Sequence, residues 1–191
     1  MNIHDLLVQA RTCRRFTGDY LSPEFLASLV DCARVSPSAR NDQVLRFAIV
    51  SDPAACERMN SLVVLGGALT PEQRAKFHQH PRGFIVILGP EKTSDFIMMD
   101  TGIAAQSIHL AAAEAGVDSC MIGALNKKEV AALLNVPEGL TVYLGIALGR
   151  ADEKRRLAEP RPDGSLVYYR DGDDVHCVPK RKLEDILIIR R

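Results

Sequence analysis

The sequence predicts an α+β sandwich, a sheet covered by helices, and three observations carry that expectation. Strand-length apolar runs at residues 47–50, 84–88, 117–122 and 140–148 are separated by segments of helical spacing. The two element types alternate without the regular strand–helix metre of a doubly wound sheet. The length of 191 residues fits one domain, 1–191, which buries roughly 70% of its unfolded surface and needs no disulfide or metal to fold.

Each element has a local reason. Ile3, Leu6, Leu7 and Ala10 fall at helical spacing and lead into the basic run Arg11-Thr12-Cys13-Arg14-Arg15. Ser22-Pro23 opens a second helix, with Ser as N-cap and Pro at the first helical position. Its apolar face is Phe25, Leu26, Leu29, Val30 and Ala33, and Ser36-Pro37-Ser38 stops it. Asp52-Pro53 starts a helix expected to reach Gly66-Gly67, and the capping box Thr70-Pro71-Glu72-Gln73 starts another expected to reach His80. Residues 94–115 are small and apolar nearly all round, which predicts the domain's central buried helix. Asn126, with Glu129 at the reciprocal position, caps a short helix. Gly149 is expected to end the compact body, followed by a charged connector over 151–163. Residues 166–169 and 175–178 flank Asp171-Gly172-Asp173-Asp174 as a hairpin, and the apolar run 183–189 is expected to pack, against a second subunit or otherwise.

Composition excludes several classes. Apolar residues make up 47% and charged residues 25%, unlike a disordered, collagenous or coiled-coil chain. Lys plus Arg and Asp plus Glu number 24 each, so the basic excess of a nucleic-acid or anionic-membrane binder is missing. Residues 150–191 hold 11 basic and 9 acidic side chains, a mixed surface rather than a basic tail. Cys13, Cys32, Cys56, Cys120 and Cys177 are odd in number and widely spaced, so they form neither a disulfide framework nor a zinc knuckle. Met1-Asn-Ile-His-Asp lacks the features of a signal peptide, and no window reaches the roughly 18 apolar residues of a membrane span. A cytoplasmic protein is expected.

Hydrolytic, P-loop and zinc-protease motifs are absent. His78 and His80, two apart on a helix, point away from each other, and His4, His109 and His176 are isolated in sequence. Cys13 reads either as a small buried filler or as a thiol activated by three neighbouring arginines. Two segments carry more information. In Arg11-Thr12-Cys13-Arg14-Arg15-Phe16, crowded guanidinium groups call for an anion, and their forks match phosphate. In 36–47, Pro37, Ser38 and Ala39 allow close approach of a flat ligand. Asn41 and Gln43 offer amides that both donate and accept, as the edge of a heterocycle requires.

In this order, about 25 residues apart, the two segments resemble the flavin-dependent nitroreductase family. There the first helix ends in R-R-S/T-x-R-x-F/Y and the next runs into A-R-x-x-P-S-x-x-N-x-Q-P-W, matched here by residues 10–16 and 33–45. Asp100-Thr101-Gly102-Ile103-Ala104-Ala105-Gln106 is similar to the family's D-x-G-x-A-x-Q, and Ser119-Cys120-Met121-Ile122-Gly123 to its G-x-x-x-C-W-I-G. Val136-Pro137-Glu138-Gly139-Leu140 resembles I-P-E-G-L, and Val178-Pro179-Lys180-Arg181-Lys182-Leu183-Glu184 the basic tail before P-L-E-E.

The resemblance implies a central, mostly antiparallel sheet covered by helices, with a C-terminal tail reaching a partner subunit. It implies a homodimer binding FMN at the dimer interface. Arg11, Thr12 and Arg14, with Cys13 in the same run, would hold the phosphate and the pyrimidine edge, with Arg14 stabilising negative charge on reduced flavin. Pro37, Ser38, Ala39, Asn41 and Gln43 would pack on the flavin from the partner. Met121, Ile122, Gly123 and Ala124 would supply backbone contacts near the reactive nitrogen, and Lys180 and Arg181 would complete the phosphate site. NADH or NADPH would donate hydride, and a small electron-poor acceptor such as a nitroaromatic, quinone or enone would receive it. The sequence departs from the family pattern at Ala10, where an arginine is usual, at Arg40, which replaces a small residue, and at Val44-Leu45 in place of Pro-Trp. Reductive dehalogenation, flavin fragmentation and a non-catalytic flavin-binding or regulatory module of the same fold remain open alternatives.

Overall fold

The computed structural model describes residues 2–74 and 80–190. Strand β3 (Gly83–Pro90) lies at the centre because it is apolar on both faces. Phe84, Val86 and Leu88 point into one core and Ile85 and Ile87 into the other, as a period of two requires. It pairs antiparallel with β2 (Arg46–Val50) on one edge and β5 (Leu140–Ala151) on the other. β5 also pairs antiparallel with β4 (Asp118–Ile122) and β1 (Phe16–Thr17), so every ladder of this five-stranded sheet is antiparallel. The α+β class and antiparallel sheet expected from the sequence are those observed.

Helices α2 (Pro23–Arg34) and α5 (Asp95–Glu114) cover one face, where Leu26, Leu29, Ala105 and Ile108 meet Ile85, Ile87, Ile146 and Leu148. α3 (Pro53–Ser61) and α6 (Lys127–Leu134) cover the other, bringing Cys56, Met59 and Val130 against Phe84, Val86 and Val142. Ser22, Asp52, Ser94 and Asn126 each accept a backbone N–H of the first turn, as N-caps do. Thr70 and Gln73 exchange reciprocal bonds ahead of α4 (Pro71–Arg74), and the expected continuation toward His80, with His78, enters residues 75–79, outside those described. Between Ile87 and Leu88 the ladder skips Tyr143. The ring of Tyr143 lies over Gly89, where a Cβ would meet it at 2.3 Å.

Several expectations need correction. α1 (Ile3–Gln9) buries none of its residues, and the basic run follows it as extended chain. α3 stops at Ser61 because Val63 bridges to Leu125 and the Leu62 carbonyl accepts the Asn126 N–H, drawing the chain off the helix axis well before Gly66. α5 is buried on one side only: Asp100, Thr101, Ala104, Ala105, Ile108 and Ala112 are inside, while Phe96, Met98, Met99 and Ile103 are exposed. The compact body does not end at Gly149, since β5 continues to Ala151 against β1. The charged connector contains β6 (Arg155–Ala158), which pairs in parallel with β8 (His176–Pro179); β8 pairs antiparallel with β7 (Tyr169–Arg170). The expected hairpin is present as β7 and β8, and β6 adds to the far side of β8, which makes β8 the middle strand of a three-stranded sheet. A last short helix, α7 (Leu183–Ile186), is fully exposed. Among the described residues, no helix is long and apolar enough to cross a membrane, and no group of three or more His, Cys, Asp or Glu is placed to hold a metal.

Candidate functional site

Two clefts contain most of the residues singled out in the sequence. The first, about 310 Å³, opens between the basic run, α5 and the C-terminal sheet. Arg11, Thr12, Arg14, Met121 and Lys180 converge there. Gln106, His109 and Tyr168 line it as well, although their sequence reading gives them no role. Gln106 ends the D-x-G-x-A-x-Q segment and His109 follows it at i+3, so their shared helix face was a usable signal. Tyr168 reaches the cleft by long-range folding that leaves no local trace.

The electrostatics of this cleft are lopsided. Arg15 forks onto Asp174 at 2.6 and 3.1 Å, Arg156 reaches Asp171 at 3.1 Å, Arg155 pairs with Asp118, and Arg170 pairs with Glu153. Among the described residues Arg11 and Arg14 have no such partner: Arg11 donates to the Leu7 carbonyl, and the Arg14 guanidinium meets His176 Nε2 at 3.0 Å and the Tyr168 ring at 4.2 Å. Burial, and then repulsion from Arg155, makes the Arg11 charge less favourable than usual. Two guanidinium groups and the Lys180 ammonium thus line a cleft that no carboxylate lines. An anion is what such a cleft binds.

The backbone of the basic run is fixed from behind. His109 Nε2 donates to the Ala10 carbonyl at 3.0 Å, so its Nδ1 accepts from the Ser119 hydroxyl at 2.6 Å. Burial holds the pKa of His109 below the usual histidine value despite the Ala10 bond, so the ring stays neutral. Cys13 N–H donates to the Ser119 carbonyl at 2.9 Å. The Cys13 side chain is fully buried in the core, its thiol donates to the Arg15 carbonyl, and burial pushes its pKa far up. The reading of Cys13 as an activated thiol is therefore corrected, and its side chain faces away from the cleft.

The second cleft, about 330 Å³, lies between α2, α5 and the loop before β2. Pro37, Ser38 and Gln43 line it, with Val44 and Leu45 at the positions that depart from Pro-Trp. Asp100 Oδ1 accepts the Ala39 N–H at 2.9 Å, and the Ser38 hydroxyl is buried with no partner among the described residues. Arg40, Asn41 and Gln43 have φ of 52°, 57° and 47°, left-handed values that non-glycine residues rarely adopt and that cluster at ligand sites. Asn41 and Ala39 belong to the same loop outside the cleft lining.

The remaining candidates lie elsewhere. The Ile122 side chain is in the core; Gly123 and Ala124 are exposed beyond β4, where the Ala124 carbonyl accepts the Val64 N–H; and Arg181 is exposed outside the first cleft. The two clefts do not meet within one chain. Asp100 and Ala104 face the second and Gln106 and His109 the first, which at 3.6 residues per turn sets them on roughly opposite sides of α5.

Comparison with known proteins shows the fold and the family. The NADPH-flavin oxidoreductase of Vibrio harveyi is 26% identical over 184 residues, covering 88% of this chain and 73% of that protein. The FMN reductase (NADPH) of Bacillus subtilis is 26% identical over 192 aligned residues, covering 92% and 76%. In fold, the chain is similar to the crystal structure of a nitroreductase with bound FMN from Desulfitobacterium hafniense, with a TM-score of 0.68 and 22% identity over 87% of this chain and 98% of that one. The model of the nitroreductase family matches residues 7–150, from α1 through the cation-lined run, the strained loop and α5 to the end of the main sheet, and the chain belongs to that family.

Proposed function

We propose that the protein is an FMN-dependent oxidoreductase that passes hydride from NADH or NADPH to a small electron-poor acceptor such as a nitroaromatic, quinone or enone. The observation that carries this reading is the first cleft, where Arg11, Arg14 and Lys180 face no carboxylate. Such a cleft fits a ligand that combines a phosphate with an electron-accepting heterocycle. FMN, when bound, would supply the hydride-transfer chemistry between donor and acceptor. Arg11, Thr12 and Lys180 hold the phosphate, with Arg181 outside the cleft, and Arg14 sets positive charge against the polar edge of the heterocycle. Met121 borders the reacting end, with Ile122, Gly123 and Ala124 continuing outside the cleft, while Cys13, anchored in the core, keeps Thr12 and Arg14 pointed outward. Water is the proton source, since no carboxyl group lines the first cleft.

The active form is a homodimer. Pro37, Ser38, Ala39, Asn41 and Gln43 lie across α5 from the basic run of their own chain, so they complete the cleft of a second copy. The orphaned Ser38 hydroxyl is the group in that loop most in need of a ligand.

The test is the visible spectrum of the purified protein before and after anaerobic NADH. A two-banded yellow spectrum that bleaches is expected, with flavin lost from the Arg14→Ala variant. A preparation that stays colourless when FMN is supplied overturns the reading.

A further inference from the structure

The C-terminal sheet lies beyond the residues that the family model matches, yet it encloses Arg14 on three sides. The Arg14 backbone N–H donates to Glu153 Oε1 at 2.6 Å, its Nη1 lies 3.0 Å from His176 Nε2, and its guanidinium carbon is 4.2 Å from the Tyr168 ring centroid. Tyr168 in turn packs on His176, ring centroids 5.2 Å apart. A guanidinium group has donors only, so His176 Nε2 accepts and its proton sits on Nδ1. That Nδ1 is buried with no protein partner, and His176 is wholly inaccessible to solvent. An unmet buried N–H is destabilising. The ring therefore takes the tautomer that Arg14 needs even though its own donor goes unused.

The charge state of the ring follows from its neighbours. Burial, and then the cations Arg14, Arg170 and Arg155, pull the His176 pKa down to about 4 against the opposing carboxylate of Glu153. His176 is neutral at physiological pH. A carboxylate at this position would fix Arg14 but cancel its charge, as Asp174 does for Arg15. A phenyl ring would spare the charge but leave the guanidinium without its acceptor.

We propose that His176 is the positioning residue of Arg14, a neutral acceptor that, with Tyr168, aims the guanidinium into the first cleft while leaving its full charge for an anionic ligand. The identity of that ligand rests on the FMN reading above; the positioning role does not.

Two experiments decide it. Long-range ¹H–¹⁵N correlation of the imidazoles in the whole protein, between pH 5 and 8, is expected to show His176 as the Nδ1–H tautomer with an unprotonated Nε2. An Nε2–H tautomer, or an imidazolium at pH 7, overturns the proposal whether or not FMN binds. The second is FMN affinity by fluorescence quenching. His176→Gln, whose amide oxygen can replace Nε2, should bind as the unaltered protein does, and His176→Phe about ten-fold more weakly, the worth of one hydrogen bond to a charged group. Arg14→Ala, which loses flavin on purification, still has a weakened affinity that titration with excess FMN reads, and in that background His176→Phe should have no further effect. Equal losses in both backgrounds would show a merely structural residue and overturn the proposal. If no form binds FMN, the FMN reading fails, and the tautomer alone decides the role of His176. The same measurement decides it if His176→Phe does not fold.

Discussion

Asp100 ties the strained loop to the central helix through one bond. It is 5% exposed on α5, and its Oδ1 accepts the Ala39 N–H at 2.9 Å, just before three residues held at positive φ. Left-handed non-glycine residues cost about 1–3 kcal/mol each, so this loop keeps its shape only because its surroundings fix it. Asp100→Ala is expected to lower stability by about 2 kcal/mol by orphaning the Ala39 N–H, while Asp100→Asn keeps an acceptor and most of the stability. Urea unfolding of the two variants checks this, and equal losses would show that the loop does not depend on the bond. The site residues that were legible in the sequence share a property: Arg11, Thr12 and Arg14 lie within four positions, and Pro37, Ser38 and Gln43 within seven. Local spacing could report them. Tyr168 and His176 reach Arg14 across more than 150 residues, and nothing in their own surroundings marks them.

The C-terminal sheet is held to the main body by buried charge. Arg170 and Glu153 are 2% and 0% exposed, and Glu153 also accepts the Arg14 N–H. Burial alone would raise the Glu153 pKa, but the bonds from Arg14 and Arg170 outweigh it and hold the carboxyl below its ordinary value of 4.5. Glu153 therefore contributes stability above that value, which is lost as pH falls through the lower folded one. His176 acts in the same direction over a higher window. Its pKa falls from 6.5 to about 4 on folding, so between those values the unfolded chain binds a proton that the folded chain does not. Stability should decline from pH 6.5 toward 4 by on the order of 3 kcal/mol, and His176→Gln should flatten the slope. Urea midpoints taken at intervals from pH 7 to 4.5 measure this, and a flat profile for the unaltered protein would refute it. This sheet was also the part of the fold least legible in the sequence. Helix starts at Ser22, Asp52, Ser94 and Asn126 announce themselves through capping chemistry, and β3 through its unbroken apolar run. β6 is four residues long and begins with two arginines, and its parallel partner β8 begins 18 residues after it ends, so neither periodicity nor a turn signal marks the pair.

One chain, taken whole, carries two clefts on opposite sides of α5 and an uncovered apolar face between them. Phe96, Met99 and Ile103 share one side of α5 and are 63%, 61% and 39% exposed, and the tail adds Leu183, Ile186 and Ile188 at 63%, 60% and 85%. Monomeric proteins rarely leave this much apolar side chain open to water on one helix face. A second copy packed on α5 would cover it and bring each strained loop to the other chain's basic run, which no motion within one chain can do without turning α5. Met99→Asp is expected to shift the protein from dimer to monomer in sedimentation velocity and to lose bound FMN in the same preparation, although position 99 lines neither cleft. Complementation gives the sharper result. Arg14→Ala disables the first cleft and Ser38→Trp fills the second, so each variant alone should be colourless. Co-expressed, they form heterodimers in which one site has lost both halves and the other is intact. Random pairing makes half the dimers mixed, so roughly a quarter of all sites should regain flavin. Recovery near zero, with heterodimers demonstrably present, would mean that both half-sites serve the same chain and that the dimer is not what completes the site.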